Sequence, residues 1–486
     1  MKKKHTLSKT DYIQFLDCPE ELWLRKNNPK VLPKVDLDLQ YKLDQGNLID
    51  KFAQQWFSDG CVIVDWAIDP KDVVFQLKAQ SKNMLAITDI AVHQPATKTL
   101  ALFEVKAATS PKKEHYHDLA FQKMVFEASG YTISNTYLVH VNKAYLTGPE
   151  VNHCELLVVT DLTKEVDKLM EETKQIAPKA LKWINGREPK KRITVGCSKK
   201  QKCPFIQLHY PNFPTYSIFN INRISAKKIK KLTAANILDI QKVPEDFKLS
   251  DAQRQQVEIA QEDEIILKRG SIRRMLSKLV YPLYFLDYES FSYVMPPQER
   301  YNPYQQMVFQ YSLHIQKKPG GHIIHKEYVL NSKQESVGNL LEDLQENIGP
   351  TGSVIVWNKS FEATRNKEMG DLFMDYAPFL RNLNERLFDL RIPFQKGHYQ
   401  HPDFKGKTSL KSVLPILCPD VSYAALSIQN GMEATIKWHQ ATEKDKLTKK
   451  EQQAIFKGLR KYCALDTLAM VKILAVLRDV SRIAKK

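Results

Sequence analysis

The sequence predicts an α/β protein in which two α/β modules are joined by a helical bridge. The chain has 486 residues, which suggests roughly three domains at about 150 residues each. Short runs of β-branched and apolar residues alternate with stretches of helical periodicity in both halves of the chain. Residues 218–279 are helical in composition and contain no good strand. We therefore expect domains at 1–212 and 281–486, with the bridge at 213–280.

The composition narrows the class of protein. Hydrophobic residues make up 43% and charged residues 26% of the chain, which is typical of a globular protein and excludes disorder. The formal net charge is +17, which favours a polyanionic partner such as nucleic acid, or an acidic membrane surface. No run of about 18 apolar residues occurs, so we expect no membrane span.

The N-terminal residues and the cysteines indicate a reduced, cytoplasmic protein. Three lysines follow Met1, but the next residues are polar, so the apolar core of a signal peptide is missing. Seven cysteines in a chain of this length do not form a secreted disulfide scaffold. Cys61, Cys154 and Cys418 lie in apolar runs and are expected in the core, and Cys463 is expected to pack between its neighbours.

The elements of the first module follow from local patterns. A helix is expected from Tyr12 to Leu24, a second over 117–129 that ends at Gly130, and a third over 166–184. Strand-like runs bounded by Gly, Pro, Asn or Lys are expected at 61–66, 84–93, 100–106 and 136–141. A basic stretch with cysteines follows at 188–202.

The second module begins at Tyr281. Strand-like runs are expected at 283–288, 308–314, 322–329 and 353–357, and the chain ends in a helix from Lys449 to about Ile483. The stretch from Phe404 to Lys411 carries basic and hydroxyl side chains. It is interpreted either as a phosphate-contacting loop or as a solvated loop that leads into a helix.

Acidic residues of the second module follow its apolar runs. Asp287 and Glu289 are two positions apart on a strand, so their side chains point to the same face. Glu362 follows a second apolar run. Tyr462 and Asp466 lie one turn apart on the C-terminal helix. Four carboxylates and a tyrosine at one site would hold two Mg²⁺ or Mn²⁺ ions for phosphodiester hydrolysis.

This pattern resembles the tyrosine variant of the RNase H-like (DEDDy-type) 3′–5′ exonucleases. The resemblance implies that Tyr462 orients the attacking water and that the metal ligands are Asp287, Glu289, Glu362 and Asp466. The histidine variant carries its base at the position of Lys461. The family usually has Asp where this chain has Glu362, and Asp389 is a spare acid for that role.

The first module carries a second acidic pattern. Asp89 closes one apolar strand, and Glu104 and Lys106 share a face at the end of the next. The two acids would bind one or two Mg²⁺ ions, and the lysine would position water or stabilise developing charge. Gln122 follows on the next helix.

These residues resemble RecB-like nucleases of the PD-(D/E)xK superfamily. Gln122 matches a glutamine that is typical of the family. Phe126 lies four residues after it, where the family usually has Tyr. The stretch from Gly46 to Asp50 fits the first helical motif of the family, with Asp50 where many members have a metal-binding His. The resemblance implies a restriction-endonuclease-type core.

Some RecB-like nucleases close their fold with one N-terminal and three C-terminal cysteines that hold an iron–sulfur cluster. Cys18, Cys197 and Cys203 match three of those places, and His209 stands near the fourth. Three thiolates and an imidazole would hold a [4Fe–4S] cluster or a tetrahedral Zn²⁺. Thiols without metal are the alternative.

The order of motifs from Cys18 to Asp466 resembles an uncharacterised bacterial family, a domain of unknown function that couples a RecB-like nuclease to an RNase H-like exonuclease. The resemblance implies a metal-dependent nuclease with two sites. DNA is favoured over RNA because RecB-like modules act mostly on DNA. Two alternatives stay open: a nucleic-acid-binding scaffold with one or both sites inactive, and an RNA-processing exoribonuclease.

Overall fold

The computed structural model describes residues 4–33, 36–62, 64–190, 197, 203, 205–443 and 447–482. The chain divides into two compact units. The first consists of Met1–Asn212 with Val294–Tyr304, and the second of Phe213–Tyr293 with Gln305–Lys486. Each unit combines a mixed sheet with helices, which confirms the α/β class. The region predicted as a bridge forms part of the second unit.

The first unit is built on a sheet of six strands. Its order is β1-β3-β4-β5-β6, with β2 paired to β3. The β4–β5 and β1–β3 pairs are parallel and the other pairs are antiparallel. In chain order its elements are β1 (Leu7–Ser8), α1 (Lys9–Asp17), α2 (Pro19–Asn27), α3 (Leu37–Ser58), β2 (Val73–Ser81), β3 (Met84–Gln94), β4 (Thr99–Lys106), α4 (Lys113–Ala128), β5 (Ile133–Val141), α5 (His153–Leu156), β6 (Leu157–Asp161), α6 (Thr163–Ile184) and α7 (Ile206–His209).

Local chemistry sets the helix ends of this unit. Ser8 and Asp11 form a capping box at the start of α1. Pro19 cannot continue that helix, so the predicted helix over 12–24 is two helices that meet at Cys18. Gly130 follows α4 with φ +95°, a left-handed conformation that glycine adopts without strain.

Alternation along β4 divides the core of the first unit into two layers. Leu100 and Leu102 face one layer with Leu119 and Phe121 of α4, whereas Phe103 faces the other layer with α3. Glu104 has the same parity as Leu102. It therefore points to the side of the sheet that α1 and α4 cover.

The second unit is built on a sheet of five strands. Its order is β10-β9-β8-β11-β12, with β8 antiparallel to β9 and parallel to β11. Its elements are α8 (Ala226–Ala234), α9 (Asp251–Glu262), β7 (Ile266–Leu267), α10 (Arg269–Leu276), β8 (Leu283–Ser292), β9 (Gln306–Gln316), β10 (Ile323–Val329), α11 (Val337–Asn347), β11 (Ser353–Val356), α12 (Lys359–Leu372), α13 (Ala377–Glu385), β12 (Leu387–Asp389), α14 (Ile392–Gln395), β13 (Tyr399–Gln400), α15 (Leu410–Leu417), α16 (Gly431–Thr442) and α17 (Lys449–Ser481).

Helix α17 covers one face of this sheet. Its core stripe includes Met470, Ile473 and Leu477, which pack with Leu283 and Phe285 of β8. Continuing the same alternation along β8 brings Asp287 and Glu289 to the face that α17 covers. Continuing the helical stripe one turn back from Met470 reaches Asp466.

The structure corrects several sequence predictions. The described residues of 61–66 form no strand, because Val62, Val64 and Trp66 pack on the core of the first unit without joining the sheet. Strands β2 and β6 were not predicted. Cys61 and Cys154 are not core residues: Cys61 is partly exposed, Cys154 is exposed, and their sulphurs form a disulfide. Cys418 is buried, as predicted.

Short 3₁₀ turns occupy several connections, at Pro29–Val31, Pro70–Asp72, Ile218–Asn220, Ile240–Lys242, Met374–Tyr376 and Pro402–Phe404. Within the part of the chain that the structure describes, no helix combines the length and the apolar character that crossing a membrane requires.

Candidate active sites

Strand β8 supplies two carboxylates to the candidate site of the second unit. Asp287, Glu289 and Cys463 each place one ligand-type atom within 4.8 Å of the others. The Cys463 Sγ lies 3.6 Å from Asp287 Oδ2. Cys463 is fully buried, so it lines the site next to Asp287 in addition to packing against its neighbours.

Helix α17 supplies a third carboxylate and two more groups. Thr448 caps its start in a capping box with Glu451, and the 33-residue helix runs past the site. Tyr462 and Asp466 are 4% and 7% exposed and face β8 as predicted. The Tyr462 hydroxyl donates a hydrogen bond to Asp466, which partly opposes the rise that burial causes in the pKa of that carboxyl.

The fourth carboxylate, Glu362, lies on the first turn of α12 rather than at the end of a strand. It is 2% exposed, and its Oε2 is buried without a hydrogen-bond partner among the described residues. Burial raises the pKa of Glu362 to about 8, and the charge of Asp389 adds to that effect. Its negative charge also raises the pKa of Asp287, so the two groups belong to one electrostatic cluster.

The cluster is strongly acidic and poorly solvated. Burial raises the pKa of Asp287 well above its usual range, and the charges of Asp466, Glu289 and Glu362 add to it. Burial followed by repulsion from Asp466 raises the pKa of Glu289 to about 8. Burial also raises the pKa of Asp466 to about 6, against the opposing effects of its tyrosine partners and of Lys411. Without a counter-charge, these carboxyls favour their neutral forms.

Lys411 and Tyr423 complete the site, and the sequence pattern gave no role to Tyr423. Lys411 Nζ donates to the Tyr462 hydroxyl at 2.9 Å and stands 5.2 Å from the centre of the Tyr423 ring. The Tyr423 hydroxyl donates a short hydrogen bond to Asp466. Lys411 ends the stretch predicted either to contact phosphate or to be a solvated loop, and it lies on the first turn of α15. The stretch therefore leads into a helix, and its contact with phosphate stays a prediction.

The donor set of this site fits divalent cations. It offers four carboxylates from three distant segments. One of these carboxylates, Glu362, has a buried oxygen that forms no hydrogen bond with the described residues. Hard oxygen ligands are those that Mg²⁺ and Mn²⁺ prefer. The spare acid Asp389 fits less well, because its two oxygens accept backbone N–H groups of Lys359 and Arg391 at 3.3 and 2.9 Å.

The predicted residues of the first unit also meet at one place. Glu104 is fully buried, and its oxygens accept hydrogen bonds from Gln122 Nε2 at 2.7 Å and from Lys106. Asp89 Oδ2 accepts the Val105 N–H at 2.8 Å. Phe126 is fully buried and packs on Tyr131.

Two residues that the sequence analysis missed take part in this cluster. Lys9 of α1 donates to both oxygens of Glu104, at 2.7 and 2.8 Å. Asp118 of α4 accepts from Gln122 at 3.0 Å and lies 3.1 Å from Lys106. Asp118 stands one turn before Gln122, a spacing that helical periodicity could have indicated. No local pattern points to Lys9.

Lysines neutralise the charge of the first site. Burial favours the neutral form of Glu104, but the charges of Lys106 and Lys9 outweigh it and hold its pKa below the usual value. Burial and the charge of Glu104 raise the pKa of Asp89 to about 7. The same two causes raise the pKa of Asp50, which places that residue near the cluster. Because protein donors already occupy both oxygens of Glu104, this set fits a metal ion less well than the second unit does.

The predicted iron–sulfur residues lie partly outside the described part of the chain. Cys18 caps α2, and Cys18, Cys197 and Cys203 are each partly exposed. Residues 191–196, 198–202 and 204 and the side chain of His209 fall outside the described residues. The cluster therefore stays a prediction.

Comparisons with known proteins place part of the chain among proteins of unknown role. Residues 284–409 match the profile of a domain of unknown function (DUF2779). The chain is 30% identical over 139 residues to an uncharacterized protein of Ureaplasma parvum serovar 3, which covers 25% of this chain and 20% of that protein. It is 25% identical over 217 residues to an uncharacterized protein of Mycoplasma genitalium, which covers 40% and 32%.

The matched regions thus span only about a fifth and about a third of these curated relatives. The DUF2779 match includes Asp287, Glu289 and Glu362 of the second-unit site. It ends before Tyr462 and Asp466.

Proposed function

We propose that this protein is a metal-dependent nuclease that hydrolyses phosphodiester bonds of DNA, with an exonuclease site in the second unit. The observation that carries the proposal is the convergence of four carboxylates from β8, α12 and α17, of which Glu289, Glu362 and Asp466 are buried and Asp287 is partly buried. Such a cluster costs stability unless positive charge compensates it. Divalent cations would supply that positive charge, and they would also attract the anionic phosphate of a substrate.

Asp287, Glu289, Glu362 and Asp466 would hold the metal ions, which supply Lewis-acid stabilisation of charge on the reacting phosphate. Tyr462 keeps its proton, because burial followed by the neighbouring carboxylates raises its pKa far above the usual range. Its hydroxyl bonds both Asp466 and Lys411, which fixes its orientation. A hydroxyl held in this way can orient the attacking water.

Lys411 supplies fixed positive charge at the edge of the carboxylate cluster. Burial lowers its pKa, and the nearby carboxylates oppose that effect. An ammonium in this position can contact a phosphate oxygen of the substrate and stabilise charge that develops there.

A cavity in the second unit supports binding of a nucleic acid strand. Its volume is about 890 Å³, and Thr408, three residues before Lys411, lies in its wall. The lining is basic, and includes Arg223, Lys228, Lys396 and Lys407. Cationic groups that follow a nucleic acid backbone are a usual means of binding single strands.

End-labelled DNA tests the proposal. Purified full-length protein is incubated with single-stranded DNA, duplex DNA and RNA of the same sequence, each with Mg²⁺, Mn²⁺ or EDTA. We expect stepwise shortening of DNA that requires metal and is lost in Asp287→Asn. Tyr462→Phe should slow it by about a hundredfold. Faster degradation of RNA would instead identify an exoribonuclease.

A matched control separates the site from contamination. Glu342→Gln removes an exposed carboxylate of α11 and should leave degradation unchanged. Cleavage that persists in Asp287→Asn, prepared in the same way, would refute the assignment. Salt-sensitive DNA binding without any turnover would support the scaffold alternative.

We propose a second nuclease site around Glu104 in the first unit, on the resemblance stated above. The capture of both Glu104 oxygens by Lys9 favours the alternative that this site is inactive. Glu104→Gln in an Asp287→Asn background distinguishes the two. A residual metal-dependent activity that Glu104→Gln abolishes supports the second site, and its absence supports the scaffold role.

We propose that Cys18, Cys197 and Cys203, with His209 as a fourth ligand, hold a [4Fe–4S] cluster, with Zn²⁺ as the alternative occupant. The chemistry of three thiolates and an imidazole suits both. Anaerobic purification followed by visible absorption and metal analysis tests this. Broad visible absorption with iron supports the cluster, whereas zinc or the absence of metal overturns it.

A further inference from the structure

Two cysteines and a histidine, none of them part of the Glu104 cluster, meet at the surface of the first unit. Cys61, His153 and Cys154 each offer one ligand atom, and these three atoms lie within 4.8 Å of one another. The sequence distance between the two cysteines is 93 residues, and their Cα atoms are 5.2 Å apart. The sulphurs form a disulfide in the structure, so the two cysteines are in their oxidised form.

The segments that carry these residues are firmly anchored. The Cys61 N–H donates to the carbonyl of Trp56 at 3.1 Å, at the end of α3. The Cys154 N–H donates to the side chain of Asn152 at 3.1 Å. Trp56 and Leu156 are both buried in the core of the first unit. Contacts other than the bond between the sulphurs therefore hold both segments in place.

Asp59 orients the imidazole. Its Oδ2 lies 2.7 Å from His153 Nε2. When a carboxylate accepts a hydrogen bond from one ring nitrogen, the proton stays on that nitrogen and the other becomes the available ligand. The Nδ1 of His153 is then free of a proton. A carboxylate behind a histidine is a common second-sphere arrangement at zinc sites.

We propose that Cys61, His153 and Cys154 form a zinc site in the reduced protein, with Asp59 as the positioning residue. Two thiolates and an imidazole favour Zn²⁺ over Mg²⁺ or Mn²⁺, which prefer oxygen ligands. Three protein ligands leave one of four tetrahedral positions for water. The partial exposure of His153, whose side chain is 20% accessible, leaves a route for the ion.

The oxidised and metal-bound forms exclude each other. Reduction of the disulfide by a thiol or phosphine reductant takes two electrons and two protons and yields two thiols. Binding of Zn²⁺ then releases both thiol protons and forms two Zn–S bonds. Oxidation of the two sulphurs by a disulfide-forming oxidant reverses this and expels the ion. The site would therefore join α3 to α5 by metal in a reducing compartment and by a disulfide in an oxidising one.

Zinc uptake by the full-length protein tests the proposal. Protein is reduced with a phosphine, freed of reductant without oxygen, loaded with Zn²⁺, passed over a weak chelator and measured by elemental analysis. We expect wild type to retain one more zinc per chain than Cys154→Ser or His153→Gln. Substitution with Co²⁺ should add thiolate-to-cobalt absorption that the same variants lack.

Matched variants keep the result specific. Cys418→Ser removes a buried cysteine of the second unit and should retain the full zinc content. Asp59→Asn keeps all three ligands and should weaken zinc binding by about 10–100-fold in a chelator competition. Circular dichroism and the thermal midpoint of each variant check that the fold survives.

Three outcomes would overturn the proposal. One is equal zinc content in wild type and Cys154→Ser. Another is rapid alkylation of Cys61 and Cys154 in the zinc-loaded protein, since thiolates bound to zinc should be protected. Zinc lost only on mutation of Cys18, Cys197 or Cys203 would assign all binding to that set and would likewise refute the site. None of these readouts depends on nuclease activity.

Discussion

The carboxylate cluster of the second unit should destabilise the metal-free protein as the pH rises, and Glu289→Gln should relieve part of that effect. Glu289 is 9% exposed, and burial followed by repulsion from Asp466 raises its pKa from 4.5 to about 8. The folded protein therefore keeps a proton that the unfolded chain releases above pH 4.5. Stability is highest below this value and falls until the pH passes about 8.

The magnitude follows from the difference in pKa. One pKa unit corresponds to about 1.4 kcal/mol. Between pH 5.5 and pH 8, the free energy of unfolding of wild type should fall by about 3 kcal/mol through Glu289 alone. Glutamine is close in shape and does not ionise. The stability of Glu289→Gln relative to wild type should therefore rise by about 3 kcal/mol over this range in EDTA.

Two buried cysteines allow the unfolding of the second unit to be followed by itself. Cys463 and Cys418 both lie in this unit, at 0% and 4% exposure. The protein is equilibrated in urea, pulsed with a thiol reagent and digested, and labelling of each cysteine is measured by mass spectrometry. The urea midpoints convert into free energies through the dependence on denaturant.

Glu342→Gln serves as the control, because it removes an exposed carboxylate of the same unit. Its stability relative to wild type should be the same at both pH values. A difference between Glu289→Gln and wild type that stays constant from pH 5.5 to pH 8 would refute the reasoning. It would mean that Glu289 is ionised in the folded protein without metal.

Three further predictions follow from the same contacts. Mn²⁺ should raise the urea midpoint of the second unit more at pH 8 than at pH 5.5, since bound carboxylates must lose their protons; equal shifts would contradict this. Lys9→Met should destabilise the first unit by about 3 kcal/mol, because the variant leaves Glu104 buried with one fewer cation. Hydrogen exchange of β4 peptides measures this loss of stability. Unchanged protection of those peptides would contradict the prediction. Gly406→Ala should cost about 1–3 kcal/mol, because φ is +71° and a Cβ would meet Gln256; a thermal midpoint equal to that of wild type would contradict it.

Local patterns in the sequence were sufficient for part of the regular elements. Alternation and β-branched runs predicted β3, β4, β5 and β8 to β11, and helical periodicity predicted α4, α6 and α17. The same two periods predicted that Asp287 and Glu289 share a strand face and that Tyr462 and Asp466 share a helix face. These relations depend on residues two to four positions apart, so the backbone geometry alone determines them.

Contacts between distant segments were outside the reach of those patterns. Glu362 was predicted for this site at the end of an apolar run, but it reaches the cluster from the first turn of α12. Lys411, from the first turn of α15, bonds Tyr462, and Tyr423, from the segment after that helix, bonds Asp466; neither belongs to an acidic pattern. Lys9 bonds Glu104 at a sequence separation of 95 residues, and Cys61 bonds Cys154 at a separation of 93.

The residues themselves therefore determined which segments become strands and helices and which carboxylates share a face. Only the tertiary structure decided which charges neutralise each other, which carboxyl oxygen is left without a partner and which thiols meet. Those outcomes depend on distances and burial between segments far apart in the chain. Electrostatic energies change steeply with both, and local spacing specifies neither.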